Sequence, residues 1–185
     1  MEKETEAAAK LLKDADVNLV IFGCTSGSLF KGLGYDLVVA KQIAQASGCP
    51  VVTTAGAVIE ALKKLNARRI CLATPYIREV NIREIDFLNK SGFEVVKTES
   101  LGIKENLKIG RLTDMDAARL AESANSSLAD AVFISCTNFR TFEAIRRLEG
   151  QLAKPVVSSN SATLWASLRT METNVKTNLG KLFNT

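Results

Sequence analysis

The sequence has 185 residues, of which 46% are apolar and 24% charged, so it can bury one core or two small lobes. The net charge of +4 is scattered along the chain, and two tyrosines and one tryptophan offer little surface for stacking on bases, so no nucleic acid is expected as a partner. No apolar run approaches the roughly 18 residues of a membrane span, so no membrane is expected either, whereas a small positive excess suits an anionic small molecule.

The sequence contains no histidine, which removes the commonest general base and the commonest metal ligand. Proton transfer would have to use cysteine, tyrosine, lysine or a carboxylate, and no metal site is expected. Four cysteines form neither a CxxC pair nor the dense pattern of a secreted scaffold. Met1 is followed by an acidic, alanine-rich stretch rather than a signal peptide. We therefore expect a cytoplasmic protein with free thiols.

Strands and helices are predicted to alternate along the whole chain. In chain order the predicted elements are a helix at Lys3–Ala15, a strand at Asn18–Gly23, a helix at Tyr35–Ser47, a strand at Pro50–Thr54, a helix at Gly56–Leu65, a strand at Arg69–Thr74, a helix at Arg78–Lys90, a strand at Phe93–Thr98, a helix at Asp114–Ser127, a strand at Ala131–Ser135, a helix at Phe139–Leu152, a strand at Pro155–Ser158 and a helix at Ser161–Met171. Near-continuous apolar strands between helices predict an α/β fold with parallel sheets covered on both faces. Thr113 and Asp116, three residues apart, predict a capping box.

An internal repeat divides the chain. The segment VIFGCTS at 20–26 recurs as VFISCTN 112 residues later, and PVVTT at 50–54 recurs as PVVSS 105 residues later. The repeat predicts two pseudo-symmetric parallel-sheet lobes. We expect a first α/β lobe at 1–66, a second at 67–160, and a C-terminal helix and tail at 161–185.

The two copies of the repeat differ in length. Two predicted strands precede the cysteine strand of the second copy, but only a helix precedes that of the first. Judged by the repeat, about 45 residues of the second copy have no counterpart in the first. The first lobe is therefore expected to lack its first two strands, through truncation, a misplaced start or natural abbreviation. The open edge beside Asn18–Gly23 would be covered by another chain or by poorly ordered segments, and a homo-oligomer is expected.

Cys24 and Cys136 each end a strand at the point where a helix is expected to begin. Ligands of open α/β sheets bind beyond the carboxyl ends of strands, often at helix N-termini, where N–H groups and the helix dipole lower a thiol's pKa. The side chains that follow, Thr25, Ser26, Thr137 and Asn138, could donate to a carboxylate. Cys49 and Cys71 lie in apolar strand contexts and are read as packing residues.

Five segments together resemble a known superfamily. They are FGCTS at 22–26, GYD at 34–36, ATPY at 73–76, ISCTN at 134–138 and VVSSN at 156–160. They resemble the aspartate/glutamate racemase superfamily, and within it maleate cis–trans isomerases and arylmalonate decarboxylases, from the first helix to about residue 170. The resemblance implies two lobes that hold a small dicarboxylate between facing cysteines, without metal or organic cofactor.

The resemblance also implies roles for individual residues. Cys24 would be the nucleophile and Cys136 the partner acid/base. The substrate would be held by Thr25, Ser26, Tyr76, Asn106, Thr137 and Asn138. Because decarboxylases of this group resemble the pattern with glycine in place of the first cysteine, the presence of both cysteines favours an isomerase or a racemase. The resemblance as a whole implies an isomerase that converts maleate to fumarate. The Pro-Ser-Ser-Asn type loop that completes the family's pocket has no counterpart ahead of Lys3.

Other functions stay open from the sequence. They are an arylmalonate-type decarboxylase, an amino-acid or hydantoin racemase, a non-catalytic carboxylate-binding protein, and a thiol-redox protein in which Cys24 and Cys136 are an oxidisable pair. A dinucleotide site is set aside because Gly32 and Gly34 lack the third glycine and do not directly follow a strand.

Overall fold

The structure is a computed structural model that describes residues 2–173, 175 and 177–185. Its helices are α1 Glu2–Asp14, α2 Thr25–Leu29, α3 Tyr35–Ser47, α4 Thr54–Lys64, α5 Arg78–Lys90, α6 Asn106–Ile109, α7 Asp114–Ala124, α8 Phe142–Leu152 and α9 Ser159–Thr170, followed by a short 3-10 helix at Lys181–Asn184. Its strands are β1 Val20–Phe22, β2 Val51–Thr53, β3 Arg69–Thr74, β4 Glu94–Ser100, β5 Ala131–Ile134 and β6 Val156–Ser158.

The strands form two parallel sheets, which confirms the predicted α/β class. One sheet pairs β1 with β2, and the other has the order β4-β3-β5-β6. Parallel neighbours need crossover connections, and helices supply them throughout. All six predicted strands are present. The lobe boundaries and the lack of two strands in the first lobe stay predictions.

Helix α9 joins the two halves of the molecule. It follows β6 of the larger sheet but packs against α4, which follows β2 of the smaller sheet. Trp165 of α9, Leu62 of α4 and Phe133 of β5 belong to the same buried cluster. A second cluster fills the space between the larger sheet and α7 and α8, and includes Cys71. This packing places the carboxyl ends of β1 and β5 side by side.

Two helices differ from the sequence prediction for a tertiary reason. A helix start after Cys24 was predicted, but not the short extent of α2, which is fixed by Ser28. The Ser28 hydroxyl donates to the Cys24 carbonyl at 2.7 Å and accepts from the Ala55 N–H at 3.1 Å. Helix α8 begins at Phe142 rather than Phe139. Phe139 is almost fully buried in the turn before the helix, where its carbonyl accepts from Asn160 at 3.0 Å, so its apolar side chain reflects core packing and not helical periodicity.

Predictions for single residues outside the two cysteine turns are confirmed as well. The capping box at Thr113 and Asp116 is present at the start of α7. Cys71 is fully buried in β3, and the Cys49 thiol donates to the Val17 carbonyl at 2.9 Å. None of the helices in the described part of the chain has the length and apolar character that crossing a bilayer requires.

Candidate active site

Cys24 caps the first turn after β1. Its backbone is extended and its exposed thiol accepts a hydrogen bond from the Gly27 N–H at 3.3 Å at the start of α2. The Ser26 hydroxyl lies 3.9 Å from the same sulfur. The predicted position of Cys24 at a helix start is therefore confirmed, and the thiol is accessible.

Cys136 lies in a different environment after β5. Its φ is +92°, and the chain passes through a turn before α8 begins at Phe142. The prediction that a helix begins directly after Cys136 is wrong. A non-glycine residue at positive φ costs about 1–3 kcal/mol and persists only where its surroundings hold it, often at functional sites.

The pKa of the Cys136 thiol is raised, chiefly by burial. Hydrogen bonds from Tyr76 and from the Asn138 N–H oppose this effect, while the charges of Glu84 and Cys24 add to it. The predicted lowering of the pKa at this cysteine is wrong, because Cys136 is only 4% exposed and α8 begins later in the chain, at Phe142. A buried thiol with a raised pKa keeps its proton and can act as a proton donor.

Two hydrogen-bond bridges hold the cysteine turns together. The Thr137 hydroxyl donates to the Gly23 carbonyl at 3.0 Å. The Ser159 hydroxyl oxygen accepts from the Cys136 N–H at 3.1 Å and from the Thr25 hydroxyl at 2.9 Å. Each bridge attaches within one residue of both cysteines, so the two cysteine turns lie side by side.

A cleft of about 550 Å³ opens beside Cys24. Its lining includes Ser26, Phe30 and Tyr35, together with the cationic side chains of Lys31 and Arg83. The Lys31 ammonium lies 5.0 Å from the Tyr35 ring centre, and the Arg83 guanidinium lies 5.0 Å from that of Phe30. Two cations beside an accessible thiol favour an anionic small molecule.

The remaining predicted site residues surround the Cys136 turn. Tyr76 is buried, its hydroxyl interacts with the side chains of Cys136 and Ser135, and burial raises its pKa, so it stays neutral. The Asn138 side-chain amide donates to the backbone carbonyl and the side-chain oxygen of Asn106 at 2.8 and 3.1 Å. Asn106 is thus brought to the turn, although far away in sequence.

The predicted donors are not equally available. Ser26 is half-buried beside the Cys24 thiol. The Thr25 hydroxyl is buried and donates to Ser159, and that of Thr137 donates to Gly23. Their roles in holding a carboxylate stay predictions.

Two residues of the site were missed from the sequence. Ser159 bridges the turns, and the signal was present because it matches Thr54 in the repeat. Glu84 is 1% exposed, its Oε1 accepts from the Ser135 hydroxyl at 2.6 Å, and burial raises its pKa to about 7. The sequence carried no signal for Glu84, because the face that it shares on α5 with Asn81 and Phe87 is recognised as buried only in the folded protein.

The family model described as arylmalonate decarboxylase matches residues 1–183 of this chain. The chain belongs to the arylmalonate decarboxylase family. A maleate isomerase of Geobacillus stearothermophilus is 32% identical over 193 residues, which cover 100% of this chain and 76% of that protein. The arylmalonate decarboxylase of Bordetella bronchiseptica is 32% identical over 173 residues, covering 91% of this chain and 71% of the relative.

Solved structures of the family share the fold. A maleate isomerase variant from Pseudomonas putida S16, solved with maleate, superposes with a TM-score of 0.94 at 26% identity and covers 98% of this chain and 75% of its own. A liganded double mutant of arylmalonate decarboxylase gives a TM-score of 0.94 at 28% identity, covering 99% of this chain and 80% of its own. The predicted superfamily and fold are therefore confirmed.

Proposed function

We propose that this family member is a cofactor-independent isomerase that converts maleate to fumarate with Cys24 and Cys136. One observation carries the proposal: an accessible thiol and a buried, protonated thiol lie on adjoining turns joined by two side-chain bridges. The maleate isomerase relative, 32% identical over the whole chain, supports the same substrate.

Cys24 is proposed as the nucleophile. It is exposed, lines the cleft and receives a backbone N–H at its sulfur. Its thiolate adds to one alkene carbon, a C–S bond forms, and the π electron pair moves onto the adjacent carboxylate as an enediolate. The former double bond is then single and can rotate.

Cys136 is proposed as the partner acid/base. Its raised pKa keeps the thiol protonated, so it can give a proton to the second alkene carbon while the enediolate supplies the electron pair. After rotation the Cys136 thiolate takes back a proton from that carbon. The C–S bond breaks, the trans double bond forms, and Cys24 leaves as thiolate. No atom or electron is gained or lost over the cycle.

The two carboxylates are proposed to be held by donors around the sulfurs. They are Thr25, Ser26, Tyr76, Asn106, Thr137 and Asn138. Neutral donors fixed in position stabilise the enediolate charge as it develops. The Lys31 and Arg83 cations of the cleft favour the entry of a dianion.

The test is turnover followed by proton NMR, with maleate as substrate and fumarate as product. We expect fumarate from the intact protein and none from Cys24→Ala. Cys71→Ala is the matched control, since this cysteine is buried in β3 and lies outside both turns. Absence of fumarate from the folded protein would contradict the proposal.

A decarboxylase is the second candidate, favoured by the buried proton-donating thiol of Cys136. Decarboxylation of an arylmalonate leaves a carbanion on one carbon, and a single thiol can protonate it. The relative in Bordetella bronchiseptica is an arylmalonate decarboxylase at 32% identity. Release of CO₂ from phenylmalonate, without fumarate from maleate, would select this function.

A cytosolic location and a homo-oligomer are proposed as well. The free thiols of all four cysteines support the first. Exposed apolar side chains at Phe30, Leu33 and Leu37 support the second. Light scattering of the purified protein tests the assembly, and a monomeric mass at all concentrations would contradict it.

A further inference from the structure

Glu84 carries a buried carboxyl group that none of the steps above uses. It lies on the inner face of α5, and its Oε2 has no hydrogen-bond partner among the described residues. The space beside it is lined by apolar side chains, including Leu29, Phe87 and Phe133. An acid placed there without a basic partner destabilises the fold, so a purely structural role does not explain it.

The groups around this carboxyl show where its charge acts. Helix α2, which packs on α5, carries no ionisable side chain, and β4 carries Glu94, Lys97 and Glu99. Lys97 bonds the Ser123 carbonyl at 2.6 Å and lies 3.9 Å from Glu99. The groups on which the charge of Glu84 acts are Tyr76 and Cys136, and it raises the pKa of both.

A chain of hydroxyl groups connects the carboxyl to the partner thiol. The Ser135 hydroxyl donates to Glu84 Oε1 at 2.6 Å. The Tyr76 hydroxyl interacts with both Ser135 and Cys136. Each hydroxyl has one proton to donate. The direction of donation along the chain therefore depends on whether the Glu84 carboxyl group, at its buried end, accepts or donates a hydrogen bond.

We propose that Glu84 is a positioning residue for Cys136, setting through Ser135 and Tyr76 whether this chain donates toward or away from the Cys136 sulfur. With ionised Glu84, Ser135 donates to the carboxylate and accepts from Tyr76, so Cys136 keeps its proton. With neutral Glu84, the carboxyl donates to Ser135, and the Tyr76 proton is free for the Cys136 thiolate. The neutral form therefore stabilises the thiolate that exists after Cys136 has given up its proton.

The direct test follows the Cys136 thiol itself and does not depend on any substrate. Carbon-13 labelling of cysteine Cβ reports thiolate formation against pH, and Cys136→Ser assigns the resonance. In the parent protein the Cβ shift of the protonated Cys136 should carry a separate inflection near the Glu84 pKa of about 7, before the thiolate forms at higher pH. Glu84→Gln should remove that inflection and lower the Cys136 pKa, because the charge that raises it is gone.

Glu149→Gln is the matched control. Glu149 is also a buried glutamate, but its carboxylate accepts from the N–H groups of Val156 and Lys181, outside the site. It should change stability and leave the Cys136 curve unchanged. If Glu84→Gln does not fold, Ser135→Ala breaks the same chain and should also remove the inflection.

A second, kinetic test of the inference rests on the proposed function. The pH profile of kcat for fumarate formation should lose an ionisation near pH 7 in Glu84→Gln, with KM for maleate unchanged. A Cys136 titration identical in Glu84→Gln and in the parent protein overturns the inference, whatever the turnover. A shifted titration without fumarate from the parent protein supports the inference and contradicts the proposed function.

Discussion

Substitution of Ser159 by alanine is the sharpest test of the bridge between the cysteine turns. The Ser159 side chain is fully buried, and its oxygen accepts from the Cys136 N–H at 3.1 Å and from the Thr25 hydroxyl at 2.9 Å. Alanine leaves two buried donors without an acceptor. Each unsatisfied buried group costs about 1–3 kcal/mol, so we expect the two together to lower the free energy of unfolding by about 2–6 kcal/mol.

The assay is urea unfolding together with the turnover of maleate. The expected loss corresponds to about a 30-fold to 25,000-fold change in the unfolding equilibrium. Turnover of the folded variant should fall too, because the Cys136 turn at positive φ loses the bond that fixes its N–H.

Ser167→Ala provides the control on the same helix. Ser167 is also buried, but its hydroxyl donates to the Thr163 carbonyl one turn earlier in α9. A local bond of this kind competes with helix geometry and contributes little, so its loss should cost less than about 1 kcal/mol. If Ser159→Ala costs no more than Ser167→Ala, the bridge does not hold the turns and the reasoning is refuted.

The remaining predictions concern the thiols, the buried acid and a cap. Cys24→Ala should abolish turnover of maleate and Cys136→Ala should reduce it by about 10²–10⁴-fold, whereas Cys71→Ala should cost about 1 kcal/mol in urea unfolding and leave kcat unchanged. Because folding raises the pKa of Glu84 from 4.5 to about 7, the native state binds the extra proton between these values, and stability falls as pH rises through them. The parent protein should lose about 3 kcal/mol in the free energy of unfolding by pH 8, and Glu84→Gln should not show this loss. If stability falls with pH equally in both proteins, another group causes the loss. Thr113→Ala removes one half of the α7 capping box and should cost about 1 kcal/mol in thermal unfolding without affecting turnover.

The sequence predicted most of the fold because its signals were local. Helices α3 and α5 have the predicted bounds, since Gly34 and Gly48 at positive φ flank the first and Pro75 precedes the second. Strands followed from apolar runs, and the two-cysteine arrangement followed from the repeat. These features need only neighbouring residues or an internal comparison.

The missed features depend on contacts between distant segments. Helix α2 is stabilised by Ser28, which bonds a residue of α4, and Phe139 packs into the core from a turn. Glu84 follows Arg83 in a helix, where a charged residue reads as a surface residue until the strands that cover it are known. The pKa of Cys136 is raised by burial, which depends on the whole fold. The residues next to Cys136 in the sequence therefore could not predict the direction of this shift.

Mass spectrometry of the protein incubated with maleate tests the central claim most directly. The proposed mechanism predicts a succinyl adduct on the tryptic peptide that contains Cys24, formed while fumarate accumulates. Cys49 and Cys71 should carry no adduct, since one donates to the Val17 carbonyl and the other is fully buried. Fumarate formation with full activity in Cys24→Ala, or an adduct confined to another cysteine, would contradict covalent isomerisation at Cys24.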